Sequence, residues 1–218
     1  MKKYILLKAA IITVVIFSIG LFIGMWLDGQ RYDEIKNEIT NLNIDWNDAR
    51  LQSLYYRTFS NQSDFCQSAL ATNKKLAEKI FSRGEQLERY EEVNRFSSEV
   101  LEQKKIYALL HVQLWLNSVE LKRECNANYS TIIYFYSHYA KGEEEQDQDV
   151  QSSILIDSIH RCDGQLEVFP IPIDMDIQII DLIIEQYGIN SVPSLLVNED
   201  TPLNGVQSRE VIENLINC

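Results

Sequence analysis

The sequence predicts an α+β chain built from an N-terminal transmembrane helix, an antiparallel α-helical hairpin region and a C-terminal α/β domain. Three observations carry this. Residues Ala9 to Leu27 hold no charged side chain. From Asp28 to Asn126 there is no proline, and apolar residues recur at three- and four-residue spacing, the period of helices that bury one face. At Tyr129 that period gives way to runs of β-branched and aromatic residues, which suit strands.

The apolar run would span about 28 Å as a helix, against a hydrocarbon core of ~30 Å. Lys2, Lys3 and Lys8 precede it, while Asp28, Asp33 and Glu34 follow it with Arg31 and Lys36. Lysines on the short N-terminal side favour an N-inside, C-outside single-pass anchor. A cleaved signal peptide would have a shorter core and a small-x-small site, whereas this run ends Gly24-Met-Trp-Leu-Asp28. The expectation is therefore a cell-membrane protein with residues 28–218 extracytoplasmic and the membrane as its first partner.

Residues 28–126 read as a helical, coiled-coil-like hairpin domain. Ile35, Ile39 and Leu42 continue the first helix, and Trp46 to Phe59 form an amphipathic piece that Ser60-Asn-Gln-Ser63 ends. A long helix from about Asp64 to Val93 carries the stripe Cys66, Leu70, Asn73, Ala77, Ile80, Gly84. A second, from Phe96 to Cys125, aligns Val100, Tyr107, His111, Leu114 and Ser118. The break near Asn94 makes the pair antiparallel, and helix packing explains both stripes. Such a hairpin returns Cys125 to the level of Cys66, so a Cys66–Cys125 disulfide is expected. On this reading His111 is a hydrogen-bonded core residue. The helices also offer a route to oligomerisation.

Residues 130–218 form the second domain. Thr131-Ile-Ile-Tyr-Phe-Tyr-Ser137 reads as a buried strand, Leu166 to Ile173 as another, and an amphipathic helix ends at Gln186-Tyr-Gly188. Ile189-Asn-Ser-Val-Pro193-Ser-Leu-Leu-Val-Asn198 and the tail Gly205 to Ile216 complete a pattern that resembles the thioredoxin fold. There a cis-proline precedes a strand, and a glycine leads into the last helix. The resemblance covers residues ~130–218 and implies a peptide-facing groove made by His138, Tyr139, Val192 and Pro193. The backbone of Val192 would receive an extended substrate. The resemblance also implies a Cys162–Cys218 disulfide, since the two helices ending there would close at one pole.

The Cys-x-x-Cys of that family is absent. Ser137-His-Tyr-Ala-Lys-Gly142 stands in its place, with Tyr139 and Gly142 where the thiols would lie. Exchange chemistry needs a thiolate and a resolving thiol, so catalytic residues are not expected and no cofactor is implied. The net charge of −12 and the lack of a basic stripe argue against nucleic acid as a partner. The three histidines make no metal spacing, and Glu143-Glu-Glu-Gln-Asp-Gln-Asp149 lacks a calcium-loop pattern. Asn61-Gln-Ser63 and Asn128-Tyr-Ser130 match the N-glycosylation acceptor triplet.

The sequence thus suggests a membrane-anchored, extracytoplasmic thioredoxin-like protein without redox activity, serving as a peptide-binding or scaffolding module. The alternatives are a divergent thiol–disulfide oxidoreductase using Cys162 or Cys218, and a structural envelope component.

Overall fold

The computed structural model describes residues 2–59, 62–94 and 98–216. Three long helices come first: α1 (Lys2–Phe59), α2 (Gln62–Asn94) and α3 (Ser98–Glu124). They lead into β1 (Ser130–Tyr136), α4 (Glu143–Arg161), β2 (Leu166–Pro172), α5 (Gln178–Tyr187), β3 (Ser194–Val197), β4 (Thr201–Asn204) and the short α6 (Arg209–Glu213). The strand order is β2-β1-β3-β4. β1 is parallel to β2 and antiparallel to β3, and β3 is antiparallel to β4.

β1 is central and buried on both faces, which is why its sequence is almost uninterruptedly apolar. Ile133 and Phe135 face one core with Phe169, Ile171 and Leu196, and that core continues into α3 and α5. Ile132 and Tyr134 face the other, with Leu155 of α4 and Ile212 of α6. The first core also holds Leu42 of α1 and Leu76 and Ile80 of α2, so the helical layer and the sheet share it. On the outer edge of the sheet, β2 carries Pro170 and Pro172, which remove two donors from an otherwise open strand. Gly188 ends α5 in the left-handed region (φ 65°), a conformation that costs glycine nothing and other residues a good deal.

The C-terminal half of α1 packs on α2 and α3. Ile39 and Leu42 are buried there, and Arg83–Glu38 at 2.6 Å, Lys79–Asp45 at 2.7 Å and Arg57–Glu124 at 2.8 Å stitch its rim. Its N-terminal section differs. Every side chain from Ile11 to Leu27 is exposed.

The expected transmembrane anchor is corrected here. Among the described residues no helix is long and apolar enough to cross a membrane. The apolar run is one section of a 58-residue helix. The single-pass topology and the cell-membrane location fall with the anchor. What the structure supplies on location is the Cys66–Cys125 disulfide, with Cα atoms 5.4 Å apart, which belongs to an oxidising environment.

That bridge is the one expected from the hairpin. It joins the start of α2 to the residue after α3, beside Phe65, Ala69 and Leu121. Cys162 caps α4 and is buried against Ile132 and Leu166, whereas Cys218, its expected partner, lies outside the described residues. Asn61 lies outside them too, and Asn128 is exposed in the turn before β1.

Candidate peptide-binding site

The loop that follows β1 is held from three directions. The side-chain amide of Gln148, on the second turn of α4, pairs with Ser137 as a neighbouring strand would. Ser137 N donates to Oε1 at 2.5 Å, and Nε2 donates to Ser137 O at 3.2 Å. Asp174, just beyond β2, accepts three bonds: from Ser137 Oγ at 2.6 Å, His138 N at 2.8 Å and Tyr139 N at 3.0 Å. Burial alone would push the Asp174 carboxyl up. The bonds from Ser137, Tyr139 and His138 outweigh it and hold the group below the usual aspartate range.

The third constraint comes from the helical layer. Lys104 of α3, 8% exposed, places Nζ 2.9 Å from Nδ1 of His138, itself 7% exposed. An ammonium can only donate, so His138 Nδ1 accepts and the imidazole is fixed in its Nε2–H tautomer. The lysine also lies 6.0 Å from the centre of the Tyr136 ring. Tyr139, by contrast, is 50% exposed and packs edge-on against His138 at 4.5 Å.

Ser137, His138 and Asp174 have the composition of a hydrolytic triad but not its geometry. The serine hydroxyl donates to the aspartate, while His138 Nδ1 is taken up by Lys104, an arrangement unlike the serine-to-histidine-to-aspartate order of a triad.

Across the sheet, Phe135 pairs with Ser194, so the start of β3 lies beside the end of β1. The Val192–Pro193 peptide bond is cis. Pro193 is buried and Val192 half-buried. Val192 lies outside the β3 ladder, and no hydrogen bond from a described residue reaches its N–H or C=O. The structure therefore brings His138, Tyr139, Val192 and Pro193 to one end of the sheet. Sequence reasoning missed Asp174, Gln148 and Lys104. A lone acidic residue inside the apolar stretch Pro172-Ile-Asp-Met175 was the available signal for the first.

A second polar cluster lies at the opposite end of β1. Asn73 Nδ2 donates to Ser118 Oγ at 2.8 Å, Asn117 Nδ2 to Asn73 Oδ1 at 2.7 Å, and Tyr129 Oη to the Ser118 carbonyl at 2.5 Å. Lys122 Nζ donates to Asn198 Oδ1 at 2.9 Å, and Thr131 Oγ1 bonds Glu199. Glu167, paired with Thr131 in the sheet, is enclosed beside this group. Its Oε2 has no partner among the described residues, and burial raises its carboxyl above the usual range despite opposing bonds from Ser118 and Asn73 and the charge of Lys122.

A groove of about 800 Å³ runs between α3 and α5 over Trp115, Val119 and Ile183, with Leu116 and Leu182 exposed on its walls. Among the described residues no group of His, Cys, Asp or Glu is placed to hold a metal ion. Compared with known proteins, the chain matches no family model and no curated sequence.

Proposed function

We propose that the chain is a non-catalytic peptide-binding or scaffolding module whose C-terminal part is thioredoxin-like. The arrangement of strands and helices around β1 supports the fold reading, as does the Val192-Pro193 junction ahead of β3. The observation that carries the functional reading is the contrast across the end of the sheet. Every backbone donor from Ser137 to Tyr139 is consumed internally, while the backbone of Val192 has no partner among the described residues. An extended peptide laid beside Val192 would complete that backbone by strand-type hydrogen bonding, with the exposed Tyr139 ring as a side-chain platform.

The oxidoreductase alternative has little to work with. The loop holds no thiol, and no described cysteine is free. A structural role in assembly is the second reading, favoured by the exposed apolar side chains from Ile11 to Leu27.

The test is capture of a permanently unfolded, carboxymethylated protein by the full chain, alongside an insulin-reduction assay. Capture that Val192→Pro weakens at least tenfold, with no turnover of insulin, supports the module. Reduction of insulin overturns it, and capture unaffected by the substitution moves binding away from this groove.

A further inference from the structure

His111 sits in the middle of α3, on the helix that packs against α1, α2, β1 and β2 at once. It is 3% exposed, and neither ring nitrogen has a hydrogen-bond partner among the described residues. Its near neighbours on the helix are apolar core residues, Ala108, Leu110, Val112, Leu114 and Trp115. Tyr107, the titratable side chain against it, stands edge-on at 4.6 Å and sends its hydroxyl elsewhere, to the Ile80 carbonyl of α2 at 2.9 Å. Among the described residues no hydrogen bond from α1, α2 or the strands reaches the imidazole, and burial holds it below its ordinary value.

We propose that His111 is an acid-operated latch between the helical layer and the sheet: neutral, it fills the core as an aromatic ring, and once protonated it has no place there. A buried cation without a partner carries a penalty that the chain avoids by opening around it. The folded imidazole is pushed down to about 3 from an ordinary value near 6.5. The unfolded or opened chain therefore takes up the proton first, and stability fully present above pH ~6.5 drains as pH falls toward 3. α3 also carries Lys104, so loosening α3 releases the His138 loop of the candidate site. The latch does not depend on peptide binding and is tested without a peptide.

The experiment follows denaturant unfolding of the full chain between pH 6 and 4.5, in wild type and His111→Phe, with 15N imidazole spectra of the folded wild type over the same range. The wild-type unfolding constant is expected to rise about tenfold per pH unit more than that of the variant, one proton's worth. The His111 ring should stay neutral while the chain is folded. An equal pH slope in the two proteins overturns the latch. So does a His111 ring that protonates above pH 5 in the folded chain, and this second measurement decides the matter if the phenylalanine variant does not fold.

Discussion

The two ends of β1 are both polar, and they are closed by different means. At its start, α2 and α3 are tied by the Cys66–Cys125 disulfide, and an Asn73–Asn117–Ser118–Tyr129 chain fills the space between helices and strand. At its end there is no covalent tie among the described residues. The helical layer meets the loop through Lys104 and His138, and the loop is shaped by a carboxylate and an amide. The difference lies in what each end leaves unsatisfied. The stapled end holds the layers together even with an unpartnered Glu167 oxygen inside it. At the unstapled end, the backbone of Val192 has no hydrogen-bond partner among the described residues.

The largest way to break this asymmetry is to cut the staple. Replacing Cys66 and Cys125 by alanine frees a 59-residue separation and should cost about 4 kcal/mol in the chain-entropy model, measured by denaturant unfolding. The next largest effect is at the unstapled end. An added Cβ at Gly84 would lie 2.0 Å from the Tyr107 hydroxyl and 2.8 Å from its ring, so Gly84→Ala should cost about 2 kcal/mol despite alanine's better helix propensity. Tyr107→Phe in that background should recover only part of the loss, because the ring carbon remains too close.

Much of this arrangement was legible in the sequence. The strand at Thr131–Ser137 was visible because a strand buried on both faces is apolar throughout, and it is observed at Ser130–Tyr136. The two helices expected from Asp64 and Phe96 run from Gln62 and Ser98, and their similar lengths were enough to bring Cys66 and Cys125 together. β4 escaped notice since Thr201-Pro-Leu-Asn204 is short and holds a proline. The anchor was read from an uncharged run, but among the described residues no helix is long and apolar enough to cross a membrane; the continuation of the first helix through Ile39 and Leu42 was legible, and it extends unbroken to Phe59. His111 was placed correctly in the core, but its expected hydrogen bonds are absent among the described residues, because the apolar period locates a side chain without naming its polar partners. Lys104 and Asp174 were invisible for the same reason. Each meets its partner across 34 to 37 positions of sequence.

Glu167 and Asp174 sharpen the comparison through pH, with opposite signs. The Glu167 carboxyl is raised in the folded chain, so its cost to stability appears as pH rises above the ordinary glutamate range. Glu167→Gln should therefore stabilise the chain at pH 7 and have no such benefit at pH 4. Asp174 is held low. Its contribution is present above the ordinary aspartate range and is lost as pH falls through the folded value.

Asp174→Asn should give the smallest stability change, because the carbonyl oxygen of asparagine can keep some of the three bonds that the carboxylate accepts. We expect a loss of about 1 kcal/mol at pH 7, of the order of one charge-assisted bond weakened to a neutral one. Its value lies in what it does to the loop. With the carboxylate gone, the amide protons of His138 and Tyr139 lose their charged acceptor, and their hydrogen exchange should speed while that of Ile132 and Leu195 in the sheet stays unchanged. Accelerated exchange confined to the loop would show that Asp174 shapes the candidate groove without bracing the fold. Exchange that quickens through β1 and β3 together would show instead that both ends of the strand are closed by one cooperative network, and that the distinction between them is wrong.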